Sequence, residues 1–319
     1  MAFFLVCTCS FLFILFSSYL FQLATDRRRR LPPGPRPLPV IGNLLDVAGS
    51  LPHRTLAHLA ERYGPLMTLR LGTVVVVVAS SAATAREVFQ THNATLAGRN
   101  PPDAWHAMGH AANSVFVLPP RHKWRALRRI GTERLLSPRL LDGDATRQLL
   151  RDTVLGMIRR LSEELAASGG TVEVGRVAFA AMADLLWRAM FSAGLDEATS
   201  GEMHVFAREA VALSLKPNVS DFFPALAAAD LQGVRRVFTR HLARVYQLID
   251  QQIEQRRRDR EAVGGGGARK GDLLDVMLDM EEQGEDDVDD GLVNVNRDFM
   301  KAFLTVSMLM QHFSRTFFF

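Results

Sequence analysis

The body of this chain lacks cysteine. Its 319 residues include two cysteines, Cys7 and Cys9, and both lie in an apolar N-terminal stretch. A body without thiols excludes a disulfide framework, a cysteine-ligated zinc site and a cysteine nucleophile there. The sequence also lacks the glycine or proline periodicity of a fibrous protein, and 48% hydrophobic residues exclude a disordered polymer. We therefore expect a folded body.

Charge is unevenly distributed, although the formal net charge is only +4. Positions 272–290 contain ten acidic residues and no basic one, so the rest of the chain is strongly basic. A basic surface suits an anionic membrane, an acidic partner or nucleic acid. Because the basic residues are interleaved with apolar helix positions and follow an apolar N-terminus, we expect no nucleic-acid partner.

The N-terminus has the pattern of a membrane anchor. Residues 2–25 contain no charged side chain, which is enough for a helix across about 30 Å of hydrocarbon. The cluster Arg27 to Arg30 follows, and the positive-inside rule places it on the cytoplasmic side. We predict a single anchor over 1–25 that contacts membrane lipid, with a cytosolic body. The alternative, a cleaved signal peptide, usually has an apolar region of about 7 to 15 residues.

Residues 26–44 form a basic and proline-rich hinge in this interpretation. Five prolines and two glycines in LPPGPRPLPVIGN, residues 31–43, exclude a helix and predict a stiff extended connector. An ordinary proline-rich linker is the alternative. The body, residues 45–319, then carries two glycosylation sequons, at Asn93 and Asn218, which should stay unmodified on the cytosolic side.

The body begins with a short β part. Apolar spacing predicts a helix over 52–64, and two extended runs, 66–71 and 74–79, predict a hairpin around Gly72 and Thr73. Five consecutive valines favour a buried second strand. Ser80 or Ser81 can then cap a helix that continues to about His92.

The rest of the body is mostly helical by pattern, after an irregular stretch over 99–120. The predicted helices lie near 121–135, 143–167, 175–194, 200–215, 229–262, 272–283 and 296–313. Gly264 to Gly267 predicts a flexible connection, because no strand precedes it and no Lys-Ser/Thr follows it as a phosphate loop requires. The expected fold class is mainly α with a small β-sheet.

One local cluster offers donors for an anion. Trp124 and Arg128 are four residues apart in RHKWRALRRI and share one face of a predicted helix. An indole N–H and a guanidinium suit a carboxylate ligand. The alternative is a buried Trp with an Arg stacked over it.

Two other clusters carry weaker signals for metals. His106 and His110 have the i, i+4 spacing of zinc ligands, but no third ligand is apparent. The acidic run 281–290 lacks the alternating spacing of a calcium loop and favours a solvated loop. We therefore predict no metal ligand and no catalytic side chain from these residues.

Taken in order, these motifs resemble the N-terminal part of a membrane-bound plant cytochrome P-450. The matching segments are the anchor, the arginine cluster, LPPGPRPLPVIGNL at 31–44, ERYGPLMTLRLG at 61–72 and PPRHKWRALRRI at 119–130. The resemblance extends to about Leu304. Residues 100–120 and 218–236 look most like the branch that hydroxylates terpenoids, which includes geraniol hydroxylases.

The resemblance implies a haem-thiolate monooxygenase of the endoplasmic-reticulum membrane. Such an enzyme uses O2 and electrons from an NADPH reductase to hydroxylate small hydrophobic metabolites. Trp124 and Arg128 would bind a haem propionate. The stretch 100–118 would lie over the haem, with Val115 and Phe116 as candidate apolar contacts to substrate.

The sequence departs from this family where the haem iron would be bound. The family ligates the iron with a Cys thiolate in a late glycine-rich loop, whereas Cys7 and Cys9 lie in the predicted anchor. After KAFLT, residues 301–305, the family's Gly-Asp/Glu-Thr-Thr sequence and its later E-x-x-R pair do not appear. We expect a truncated, inactive product that acts at most as a membrane-anchored interaction partner. In such a product the apolar helix 299–310 should lack its partners and be exposed.

Overall fold

A computed structural model describes residues 30–49, 51–135, 143–262, 269–283 and 296–306, and six positions between residues 6 and 20. Its residues group into two compact units, 1–97 with 217–232, and 98–216 with 233–319. The elements are numbered along the chain. The first unit contains α1 (Leu44–Val47), α2 (Pro52–Tyr63), β1 (Leu66–Leu71), β2 (Val74–Ala79), α3 (Ala82–Arg86), α4 (Asn93–Leu96) and α10 (Val219–Phe222).

Within its described residues, the second unit contains helices and no strand. It contains α5 (His110–Asn113), α6 (His122–Ile130), α7 (Asp144–Ser168), α8 (Val174–Phe191), α9 (Glu197–Leu215), α11 (Val234–Ala262), α12 (Leu273–Gln283) and α13 (297–306). The expectation of a mainly α fold with a small β-sheet is confirmed.

The first unit is built around an antiparallel hairpin. Strands β1 and β2 pair from Leu66 with Ala79 to Leu71 with Val74, as the sequence predicts. The helix after β2 is also confirmed, because Ser81 accepts a hydrogen bond from the Thr84 backbone N–H and caps α3. The expected burial of β2 is wrong. Its valines are half-buried or exposed, because β2 has only β1 beside it among the described strands.

The proline-rich stretch lies against β1. The Thr68 backbone N–H donates to the carbonyl of Pro33 at 2.9 Å, and the Arg70 backbone N–H donates to Asn43 Oδ1 at 2.9 Å. A side chain at Gly42, whose φ is +62°, would collide with the Arg70 carbonyl. As expected, residues 31–43 contain no helix. They also pack as part of the first unit.

The core of the second unit lies on α11. Phe238, Leu242, Ile249 and Ile253 are fully buried and follow one another at helical spacing. Buried residues of helices α8, α9, α12 and α13 belong to the same core cluster. The expectation that the late apolar helix is exposed is wrong for its described part, because Phe299, Met300, Phe303 and Leu304 lie in this core.

Several predictions fall on other parts of the chain. Among the described residues, no helix has both the length and the apolar character needed to cross a membrane. Most of the predicted anchor, the glycine run 264–267, positions 284–290 of the acidic run and the residues after 306 lie outside the described ranges.

Candidate functional site

The stretch from residue 99 to residue 118, called here the 99–118 segment, is an irregular part of the second unit with a kink in its backbone. It begins with Pro101 and Pro102, forms a 3-10 turn from Asp103, and kinks at Ala107 and Met108, where the torsion angles are not helical. The kink separates the two histidines. His106 is exposed, whereas His110 is fully buried. The helical face on which they would share a metal is therefore not formed.

Trp105 fixes the segment to two long helices. Its ring stacks between Phe116, at 5.4 Å, and Phe238 of α11, at 6.2 Å. Its indole N–H donates to the Ser214 hydroxyl of α9 at 2.9 Å. Because the ring contacts apolar rings and its N–H is hydrogen-bonded, burial of Trp105 leaves no donor unpaired.

An ion pair and a histidine strengthen the same attachment. The buried carboxylate of Asp103 pairs with the Arg235 guanidinium of α11. His110 Nδ1 lies 2.8 Å from the Tyr246 hydroxyl, also on α11. Burial lowers the pKa of His110 to about 4, so its imidazole is neutral at pH 7. Burial also raises the pKa of Tyr246, with a smaller contribution from Asp298.

The two residues predicted to contact substrate lie at the end of the segment. Val115 and Phe116 are half-buried and pack against the core. The guanidinium of Arg99 lies 4.9 Å from the centre of the Phe116 ring and donates to the Phe116 carbonyl at 2.6 Å. Phe116 is thus held between Arg99 and Trp105. The structure contains no substrate, so contact with substrate stays a prediction for both residues.

Trp124 and Arg128 are brought together as their spacing predicts. The Arg128 guanidinium carbon lies 5.4 Å from the centre of the Trp124 ring, in cation–π geometry. The Trp124 indole N–H donates to the carbonyl of Val115 at 3.0 Å. The stacked arrangement considered as the alternative is therefore present. It also ties α6 to the end of the 99–118 segment.

The solvent side of α6 is a basic surface. Arg121, Arg125, Arg128 and Arg129 are exposed, and none has a carboxylate partner within the described residues. Lys123 differs from them, because it donates to the Ala112 carbonyl and to Asn113 Oδ1, and partial burial lowers its pKa. The exposed arginines are available to an anionic group.

Comparison with protein families identifies the family of this chain. The family model described as Cytochrome P450 matches residues 32–310. The chain belongs to the cytochrome P450 family. Carnosic acid synthase from Rosmarinus officinalis is 37% identical over 294 residues, which cover 88% of this chain and 57% of that protein. The resemblance to plant enzymes of terpenoid hydroxylation is confirmed.

Two further relatives have names that state a hydroxylation. Geraniol 8-hydroxylase from Swertia mussotii is 33% identical over 289 residues, which cover 90% of this chain and 57% of that protein. The 11-hydroxysugiol 20-monooxygenase from Salvia miltiorrhiza is 37% identical over 268 residues, 81% of this chain and 52% of that protein. The chain thus spans about half the length of these curated relatives.

The P450 family implies haem, and the residues present fit it only in part. Arg128 fits a haem propionate, because its guanidinium is exposed and has no carboxylate partner in the described ranges. The Trp124 N–H is already engaged by Val115 and would have to leave that carbonyl to reach a propionate. Among the described residues there is no cysteine that could ligate the iron.

Proposed function

We propose that this chain supplies the N-terminal part of a haem-dependent monooxygenase that hydroxylates small hydrophobic metabolites of the terpenoid type. The observation that carries the proposal is that relatives at 33% to 37% identity include a geraniol 8-hydroxylase and an 11-hydroxysugiol 20-monooxygenase. The apolar packing around Phe116 supports a hydrophobic substrate.

The residues of this chain would bind and orient rather than react. When bound, the haem supplies the activation of O2 with electrons from an NADPH reductase. Arg128 would hold a propionate carboxylate, and Trp124 would fix the guanidinium by stacking. Val115 and Phe116 would offer an apolar surface to the substrate. The other exposed arginines, Arg121, Arg125 and Arg129, would suit an acidic surface on the reductase.

We further propose that these 319 residues do not form a thiolate-ligated haem by themselves. The support is chemical, since Cys7 and Cys9 lie in the stretch predicted to be an anchor and the rest of the chain has no thiol. The second candidate function follows from this proposal. The chain would then act at most as an inactive, membrane-anchored interaction partner, with the basic surface of α6 as its contact surface.

The absorbance of the reduced, CO-treated protein tests both proposals. It would be recorded for the 319-residue chain in membranes, and for a chimera in which the C-terminal remainder of rosemary carnosic acid synthase follows Thr305. We expect the thiolate-type band from the chimera only. A normal band from the 319-residue chain would overturn the proposed inactivity. No hydroxylated product from an active chimera given a panel of terpenoids would overturn the proposed substrate class.

The propionate role of Arg128 can be tested in the same chimera. Arg128→Ala should reduce haem retention by roughly tenfold, because a charge-assisted hydrogen bond is lost. Arg129→Ala is the matched control, since Arg129 is also exposed on α6 but does not stack on Trp124. Equal haem retention in the two variants would contradict the assignment.

We propose the endoplasmic-reticulum membrane as the location, with the body in the cytosol. The arginine cluster 27–30 supports this orientation. Asn93 is the useful reporter, because it is exposed, whereas Asn218 is buried and is a poor acceptor on either side of the membrane. In microsomes Asn93 should carry no glycan, and a sequon added before Met1 should carry one. A glycan on Asn93 would overturn the orientation.

A further inference from the structure

Two buried side chains near the kink in the 99–118 segment each have a polar atom without a hydrogen-bond partner in the described part of the chain. The atoms are His110 Nε2 and Ser114 Oγ. Both residues have an exposed fraction of 0%. His110 begins α5 and Ser114 directly follows it, so a separation of four residues places both side chains on the same side of one turn. Buried polar groups in native proteins are normally paired, because an unpaired one costs free energy.

The contact at Nδ1, the other ring nitrogen, determines whether His110 Nε2 is a hydrogen-bond donor or an acceptor. The Tyr246 hydroxyl stays protonated at pH 7, and its one hydrogen-bond contact within the described residues is His110 Nδ1 at 2.8 Å. The buried Tyr246 O–H is paired only if it donates to Nδ1. A neutral imidazole that accepts at Nδ1 carries its proton on Nε2. Nε2 is therefore a buried donor that lacks an acceptor.

The surroundings favour a small, uncharged acceptor. The Trp105 ring lies 5.5 Å from the His110 ring, and the nearby residues of the segment are apolar core residues. Two ammonium groups lie near this position, and both are engaged. Lys123 donates to the Ala112 carbonyl and to Asn113 Oδ1, and Lys301 lies over the Tyr246 ring and is paired with Asp298 at 3.0 Å. A second anion here would be desolvated without a cation of its own. A neutral oxygen avoids that cost.

We propose that His110 Nε2 and Ser114 Oγ bind one buried water molecule. The water oxygen accepts from Nε2–H. The same water either donates to Ser114 Oγ or accepts from the Ser114 hydroxyl. Buried waters in proteins occupy such positions, where they satisfy polar groups that have no protein partner. The site extends the connection from α11 through Tyr246 and His110 to Ser114, the residue that follows α5.

Nitrogen NMR of the full chain in detergent micelles tests this proposal, with ¹⁵N in the histidine rings and His110→Gln to assign the signal. We expect His110 to be protonated at Nε2, with a magnetisation-transfer signal between Nε2–H and a long-lived water. A protonated Nδ1, or an Nε2–H without any water signal, would overturn the proposal.

Two additions sharpen the result. Ser114→Ala removes one of the two protein partners, so exchange of the Nε2 proton should accelerate about fivefold to tenfold, the equivalent of one net hydrogen bond. Ser162→Ala on the exposed side of α7 is the matched control and should change nothing. Addition of geraniol should leave the water signal unchanged. Loss of the signal with geraniol would show that a ligand oxygen takes the position, and would overturn water as the occupant.

Discussion

Among the described residues His110 is the one fully buried histidine, and its pKa falls from 6.5 to about 4 on folding because burial disfavours its charged form. As pH falls below 6.5, the unfolded chain binds a proton at this position before the folded chain does. The contribution of His110 to the free energy of unfolding should therefore be constant above pH 6.5 and decrease between pH 6.5 and about 4, by up to about 3 kcal/mol. Urea unfolding across this pH range measures the decrease.

Two variants separate His110 from the other eight histidines. His110→Phe should remove most of the pH dependence in this range, since no buried neutral imidazole remains to be protonated. His106→Gln should keep it, because His106 is exposed and only four residues away. The same pH dependence in both variants would show that the decrease arises from other groups.

At the level of single residues, the sequence could predict only the pairs that local spacing places together. Trp124 and Arg128 meet because they are four apart on one helix. Trp105 and Tyr246 were not anticipated, because the groups that give them their roles, Ser214 and His110, are more than 100 positions away along the chain. The zinc interpretation of His106 and His110 required a helix that the kink at Met108 interrupts.

At the level of elements, the hairpin and the order of the helices follow from sequence pattern, and the errors lie at helix ends. Helix α9 begins at Glu197, three residues earlier than predicted, because Asp196 accepts a hydrogen bond from the Thr199 backbone N–H and caps it. Helix α11 begins at Val234 rather than near 229, because Asp230 and Gly233 have positive φ values. A helical sequence pattern alone does not reveal such backbone reversals.

The ion pairs between α11 and α12 give the clearest prediction for an element. Arg256 has 5% of its side chain exposed and donates to both carboxylate oxygens of Asp272 and to the carbonyl of Phe191. It also pairs with Asp275 at 2.8 Å. Arg256→Met should lower the free energy of unfolding by about 3 to 5 kcal/mol, because it leaves a buried carboxylate without its cation. Denaturant unfolding followed by circular dichroism measures the loss.

The control for this prediction lies on the same helix. Arg258→Met removes an exposed arginine and should change the free energy of unfolding by less than about 0.5 kcal/mol. The double variant Arg256→Met with Asp272→Leu should recover part of the loss, since the unpaired carboxylate is then removed as well. A loss of similar size at positions 256 and 258 would argue against the importance of burial.

At the level of the whole molecule, helix α7 exposes apolar side chains, which the sequence pattern did not predict. Helix α7 has 25 residues, and none of its described side chains is buried. Val154, Leu155, Ile158 and Leu165 are each about half exposed. The sequence led us to expect one exposed apolar helix, but it did not identify α7 as that helix. Exposure depends on which helices pack together in the core, and the sequence pattern does not show this. A contiguous apolar surface of this kind favours association.

We therefore expect the chain to self-associate through α7 in a mild detergent. Ile158→Lys should weaken association by about tenfold, because burial of one isoleucine side chain contributes roughly 1.5 kcal/mol or more. Ala167→Lys adds the same charge to an exposed position nine residues from Ile158, on the opposite side of α7, and serves as the matched control. Sedimentation velocity over a concentration series compares the two. Equal weakening in both would indicate that net charge, rather than the apolar surface of α7, controls association.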